Sequence, residues 1–97
     1  MLFAIRITDK PGMGATRRAV RDAHISYLSA HTPMLILAGP VMDDAGNSIG
    51  SVRLVEAEDR AAAERLCAED PFALAGCFAR VEIDPYRIVF RDGRLME

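Results

Sequence analysis

His24 is the side chain in this sequence best suited to move a proton, because imidazole titrates near neutral pH. Helical spacing places it on one face with Arg21 and Leu28. Arg21, one turn away, could orient an anionic group of a substrate. The alternative is a half-buried residue of an amphipathic helix, with one ring nitrogen hydrogen-bonded and no part in chemistry. Taken alone, the position of His24 favours this second interpretation.

Asp70 is the second residue that could take part in proton transfer. It precedes Pro71, which holds its backbone extended and makes it a good N-cap for a following helical turn. That cap is a sufficient reason for an aspartate here. A carboxylate close to His24 would also fix the imidazole tautomer and raise its basicity, but spacing alone does not show that the two residues meet.

Two glycine-containing pairs, Gly39-Pro40 and Gly50-Ser51, bracket a predicted hairpin. Glycine at such positions permits tight turns or a close approach of a ligand to the backbone, and Ser51 adds a hydroxyl beside that gap. No nucleophile elbow, phosphate-binding loop or dinucleotide-binding motif surrounds them. Tight turns and the approach of a ligand therefore both remain open for these pairs, and we expect no nucleophilic serine.

Cys67 and Cys77 have neither the spacing of a metal site nor the number needed for a disulfide framework. We expect two free, half-buried thiols in a reducing compartment. Haem is a weaker alternative, since only His24 and His31 could ligate it and His31 falls near the predicted end of a helix. The sequence therefore predicts neither a metal nor a cofactor.

The composition is that of one small globular domain. The chain has 97 residues, of which 51% are hydrophobic and 27% charged, and its net charge is −2. This charge gives no basic field for nucleic acid, and no apolar run approaches the roughly 20 residues that span a bilayer. The N-terminus lacks the basic region of a signal peptide. We expect a cytoplasmic protein without nucleic-acid or membrane partners, with a core over about 2–90 and a polar tail over 91–97.

Alternating and helical patterns define six elements. Strand-like alternation covers residues 2–8, 49–56 and 78–84, a run that is apolar on both faces covers 34–38, and helical spacing covers 15–31 and 61–69. The order is therefore βαββαβ. This order predicts an α+β, ferredoxin-like fold, in which a four-stranded antiparallel sheet carries both helices on one face.

The strand predicted over residues 34–38 bears on assembly. In the ferredoxin-like order it lies at an edge of the sheet, although both of its faces are apolar. An uncovered edge of that kind invites aggregation. A second copy of the chain is the simplest cover for this edge and for the helix-free face of the sheet, so we expect a homodimer.

Several short motifs in a fixed order resemble those of the YCII-like family, also called YciI-like proteins. No one motif is specific, but their order and spacing match over about residues 2–90. The motifs are Asp9-Lys10-Pro11-Gly12, Arg21-Asp22-Ala23-His24, Ala38-Gly39-Pro40, Gly50-Ser51 and Asp70-Pro71-Phe72. Asp22 departs from the pattern, since relatives often carry proline there, and its negative charge could weaken an anion-binding role for Arg21.

The resemblance implies a dimeric α+β barrel with an active site in a cleft near the dimer interface, where a histidine and an aspartate act together. One family member resembles an enzyme that eliminates chloride from a chlorinated, hydroxylated ring, and muconolactone isomerases share the barrel. The residues that match the family's site are His24 and Asp70 as the catalytic pair and Arg21, Gly39, Pro40, Gly50 and Ser51 around them.

Both of these chemistries move a proton at a carbon beside a carbonyl or enol, which a histidine base can do without a cofactor. We therefore expect a cofactor-independent lyase or isomerase, in which His24 and Asp70 act on a small cyclic or enolisable substrate of the kind met in aromatic degradation. The alternative is a non-enzymatic dimeric module that binds a small ligand or a partner protein. In that case Asp70 is a cap and His24 is a hydrogen-bonded polar residue.

Overall fold

A computed structural model describes residues 1–96, which form a sheet with helices packed on one face. A short 3₁₀ turn over Thr32–Met34 links the first helix to the second strand. The elements in chain order are β1 (Leu2–Asp9), α1 (Gly14–Ser29), β2 (Leu35–Met42), β3 (Ser48–Glu56), α2 (Arg60–Ala68), α3 (Pro71–Leu74) and β4 (Phe78–Pro85).

The four long strands form one antiparallel sheet in the order β2-β3-β1-β4. Alternate residues of β1 face the core, where Phe3, Ile5 and Ile7 are buried. They pack in one cluster with Leu28 of α1 and Leu66 of α2. The helices therefore cover a single face of the sheet, and the predicted α+β, ferredoxin-like fold is confirmed.

Aspartates begin the second and third helices. Asp59 accepts a hydrogen bond from the backbone N–H of Ala62, at 2.8 Å, and so caps α2. Asp70 accepts one from the N–H of Phe72, also at 2.8 Å, and Pro71 occupies the first helical position of α3. The cap predicted from the sequence at Asp70 is therefore confirmed.

The edge strand β2 is longer than the sequence pattern indicated. The predicted strand ends at residue 38, before Gly39-Pro40. The observed strand continues to Met42, with Pro40 opposite Ser51. Proline lacks an N–H group, which an edge strand tolerates because one side of it needs no partner. Hydrophobic residues of this strand remain exposed, Leu37 by 54%.

The C-terminal segment and the cysteines also differ from expectation. Strands β5 (Phe90–Arg91) and β6 (Arg94–Leu95) form a hairpin that begins at the predicted end of the core and continues into the predicted polar tail, turning at Asp92 and Gly93, which both have positive φ. Glu97 lies outside the described residues. Cys67, on the core side of α2, and Cys77, just before β4, are free but buried rather than half-buried. No helix within residues 1–96 has the length and hydropathy needed to cross a bilayer.

Candidate active site

His24 and Asp70 meet in the folded chain. The Nδ1 atom of His24 lies 2.8 Å from Oδ1 and 3.0 Å from Oδ2 of Asp70. His24 projects from α1, whereas Asp70 stands at the start of α3, 46 residues further along the chain. The same carboxylate therefore caps α3 and holds the imidazole.

Arg53 gives this pair a third member. Its Nη2 atom donates to Asp70 Oδ2 at 2.5 Å, and both side chains are almost wholly buried. Burial raises the pKa of Asp70, but the hydrogen bond from His24, the charge of Arg53 and the N–H of Phe72 together outweigh it and hold that pKa below its ordinary value. Asp70 is therefore an ionised carboxylate that can only accept hydrogen bonds.

Phe72 fixes the plane of the imidazole. Its ring stacks on that of His24, with centroids 3.9 Å apart and 13° between the planes. The guanidinium of Arg17 also lies over the Phe72 ring, 4.4 Å from its centroid. Arg17 is held in turn by Asp9 Oδ2, at 2.8 Å, and by the carbonyl of Gly50, at 3.2 Å. The histidine therefore has a rigid support on one side.

An open cavity of about 990 Å³ lies between α1 and the β2–β3 end of the sheet. His24 lines it, and so do four of the five other residues that the sequence analysis placed near the site. These four are Arg21, Gly39, Pro40 and Ser51. Asp70 is absent from the lining and completely buried, so His24 stands between the carboxylate and the cavity.

The packing of strands β1 and β3 explains why residue 50 is a glycine. It lies opposite Thr8 in the sheet, and a Cβ atom built on it would stand 2.1 Å from the carbonyl oxygen of Ile7. The close approach that this glycine permits is therefore to strand β1, not to a ligand. Gly39 differs, since a Cβ atom there would meet nothing within 4 Å.

Arg53 was not singled out from the sequence. It alternates with Ser51 and Val55 along β3, and all three point toward the helices and are buried. An arginine between buried neighbours on one strand face is a sign of a buried ion pair, because an unpaired charge is rarely found there. Its partner could not be read from the sequence, because Asp70 is brought to it only by the packing of α3.

The cavity has a cationic lining. Six of its lining residues are arginine or lysine and two are aspartate. Arg17 and Arg53 form salt bridges with Asp9 and Asp70, while none of the other four cationic side chains has one within residues 1–96. That same part of the chain holds no group of three or more His, Cys, Asp or Glu residues placed to bind a metal ion.

The model of the YCII-related domain matches residues 1–87. The chain belongs to the YCII-related family. An uncharacterised member from Haemophilus influenzae is 33% identical over 98 residues, which cover 93% of this chain and all of that protein. Protein YciI of Escherichia coli O6:H1 is 32% identical with the same coverage.

One of the solved structures similar to this YCII-related protein is that of an enzyme. The 5-chloro-2-hydroxyhydroquinone dehydrochlorinase of Burkholderia phenoliruptrix AC1100, in complex with 2,5-dihydroxybenzoquinone, has a TM-score of 0.82 and 29% identity, covering 90% of this chain and 94% of that one. Protein Atu4242 of Agrobacterium tumefaciens has a TM-score of 0.55 and 22% identity, covering 99% and 100%, and shows the fold alone.

Proposed function

We propose that this protein is a cofactor-independent lyase or isomerase in which His24 is the general base. The observation that supports this most is the contact between His24 Nδ1 and the ionised, buried carboxylate of Asp70. A carboxylate cannot donate, so Nδ1 carries a proton, and in the neutral imidazole Nε2 is then the nitrogen with the lone pair. Nε2 has no hydrogen-bond partner within residues 1–96 and belongs to a side chain that lines the cavity.

The charges around the cavity suit the other half of such a reaction. When a base removes a proton beside a carbonyl, the electron pair moves onto the carbonyl oxygen, and nearby cations stabilise the resulting anion. Arg21 and Arg18 line the cavity with His24 and have no salt bridge within the described part of the chain. The dehydrochlorinase with the same fold acts on a small hydroxylated ring, and we propose a substrate of that size and kind here.

The site is also compatible with a module that binds a small ligand without chemistry. Asp70 caps α3 and pairs with Arg53, so its burial has a structural explanation without catalysis. The two proposals differ in what His24 does. In the module it only contacts the ligand, whereas in the enzyme its removal abolishes turnover even where binding persists.

We propose that the working form is a homodimer. Leu37 and Val52 lie on the helix-free face of the sheet and are 54% and 38% exposed. Large hydrophobic side chains exposed on a sheet face of a small domain favour association with a second copy. Packing two such faces against each other would cover the β2 edge as well as the open side of the sheet.

The test of the enzyme proposal compares wild type with His24→Gln, using 5-chloro-2-hydroxyhydroquinone and related chlorinated hydroquinones as substrates and chloride release as the measurement. We expect the variant to lose a hundredfold or more in rate, roughly the contribution of a general base. His31→Gln is the matched control, because the hydrogen bond of His31 within residues 1–96 goes to the carbonyl of Tyr27 and His31 does not line the cavity. Equal rates for the two variants would exclude His24 as the base.

A further inference from the structure

Three side-chain polar atoms within residues 1–96 are buried and have no hydrogen-bond partner. They are Asp9 Oδ1, Ser51 Oγ and Arg53 Nη1. All three residues line the cavity that His24 lines. Burying a polar group without a partner is unfavourable, and all three of these atoms belong to residues around one cavity. Their position indicates a polar ligand.

Two of these atoms are hydrogen-bond donors on the same strand. Ser51 and Arg53 are two residues apart on β3, so their side chains project from the same face, toward the helices. Arg53 donates to Asp70 through Nη2, and its Nη1 atom has no hydrogen-bond partner within residues 1–96. Asp9 is not part of this pair of donors, because an ionised carboxylate only accepts hydrogen bonds. Its Oδ2 atom already accepts one from Arg17.

We propose that Ser51 Oγ and Arg53 Nη1 form an oxyanion subsite that binds an ionised oxygen of a small organic anion, such as an enolate, a phenolate or a hydroxyquinone. This inference rests on the proposed function and deepens it by naming the class of ligand. The subsite is proposed to favour the charged form of that oxygen over a neutral carbonyl oxygen, because cationic residues outnumber acidic ones six to two around the cavity.

The subsite completes the reaction proposed for His24. The C–H bond beside a carbonyl breaks, the proton goes to Nε2 of His24, and the electron pair forms a C=C bond and charges the carbonyl oxygen. Ser51 and Arg53 then donate to that oxygen, and nothing is oxidised or reduced. Donors that are already in place and unpaired before the charge develops stabilise it without reorganisation.

The experiment uses binding rather than turnover, so that it stands apart from the test of His24. Isothermal titration calorimetry measures the affinity of the full chain for 2,5-dihydroxybenzoquinone and for 2,5-dimethoxybenzoquinone, in which methylation prevents ionisation. We expect the dihydroxy compound to bind at least tenfold more tightly. Equal affinities, or no binding of the dihydroxy compound at millimolar concentration, would overturn the proposal.

Ser51→Ala tests the subsite itself, with Ser26→Ala, an exposed serine of α1 outside the cavity, as the matched control. Ser51→Ala removes an unpaired buried hydroxyl, so its melting temperature should equal or exceed that of wild type. Its affinity for 2,5-dihydroxybenzoquinone should fall about tenfold or more, the scale of a hydrogen bond to a charged group. A lower melting temperature with unchanged affinity would show that the hydroxyl is structural and that the proposal is wrong.

The two proposals fail in different ways. If His24→Gln retains full turnover while Ser51→Ala loses affinity, the general base is wrong and the subsite stands. If His24→Gln loses turnover while Ser51→Ala binds like wild type, the base stands and the subsite is wrong.

Discussion

Phe72 holds both members of the His24–Asp70 pair at once. Its ring stacks on the imidazole at 3.9 Å, and its backbone N–H donates to the carboxylate at 2.8 Å. The histidine comes from α1 and the aspartate from the start of α3, so a single residue fixes the orientation of one and the position of the other. The site is therefore rigid before any ligand arrives.

Phe72→Leu should weaken this support. Phe72 is buried, and the change removes ring area and the stack on His24, so we expect a loss of about 1–3 kcal/mol in the free energy of unfolding. Urea denaturation measures it. Leu74→Ala, in the same helix but 76% exposed, is the control and should change stability by less than about 0.5 kcal/mol. Equal effects of the two changes would mean that the stack contributes nothing.

Asp70→Asn should be far more damaging than its small change in size suggests. It leaves Arg53 charged, buried and without its counter-ion, a condition that costs about 3–5 kcal/mol. Glu82→Gln breaks an exposed ion pair with Arg80 and should cost less than about 1 kcal/mol. Chemical denaturation of both variants at pH 7 makes the comparison. A loss below 1 kcal/mol for Asp70→Asn would contradict the buried ion pair.

Acid should destabilise the protein through Asp70. Its pKa in the folded chain is below the ordinary value of 3.8, so its contribution to stability is complete above that value and is lost as the pH falls through the folded pKa. We expect the unfolding free energy to fall as the pH drops below about 4, through the range in which the Asp70 carboxyl becomes protonated.

Asp9 provides the opposite case. Burial raises its pKa more than Arg17 lowers it, so its contribution to stability is lost as the pH rises through the folded pKa. With Asp70→Asn, the unfolding free energy should therefore fall less steeply as the pH decreases. With Asp9→Asn, it should fall more steeply. Parallel profiles for wild type and both variants would contradict these assignments.

Two glycines on neighbouring strands should respond oppositely to alanine. Gly50→Ala places a methyl group 2.1 Å from the Ile7 carbonyl oxygen, so β1 and β3 must separate, at a cost of about 1–3 kcal/mol or more. Gly39→Ala meets no atom within 4 Å, and we expect stability equal to wild type or about 0.4–1 kcal/mol higher. Thermal denaturation separates the two, and a tolerated Gly50→Ala would show that the strands can move apart.

The proposed homodimer makes a prediction for the helix-free face. Val52→Asp puts a charge on this face, next to Arg6 on β1, without entering the core. We expect wild type to scatter light as a dimer at micromolar concentration and Val52→Asp as a folded monomer. Glu64→Gln, exposed on α2 at the opposite side of the sheet, should remain dimeric. A concentration-independent monomer mass for wild type would refute the dimer.

Local patterns predicted most of the fold. Alternation located β1, β3 and β4, and the cap at Asp70 was predictable because it depends on residues next to it in the sequence. The sequence pattern ended β2 too early, before Pro40. A proline within a strand is tolerated at an edge of a sheet, and which strand lies at the edge is decided by the whole sheet.

The candidate site was only half predictable. His24 and Asp70 were named from residue type and from the family resemblance, but the contact between them depends on how α1 and α3 pack. Arg53 was missed for the same reason, since an arginine on a strand shows its charge in the sequence but not the carboxylate that neutralises it. The unpaired atoms of Ser51 and Arg53 could not be predicted either, because they are identified only from the full set of hydrogen bonds in the structure.

The carboxylate of Asp70 connects three separate stretches of chain. Its bond to His24 spans 46 residues, its bond to Arg53 spans 17, and its bond to Phe72 closes the first turn of α3. A fragment that lacks one of these stretches cannot make all three contacts. If His24 is the base we propose, a partly folded molecule in which these contacts are not formed is therefore inactive.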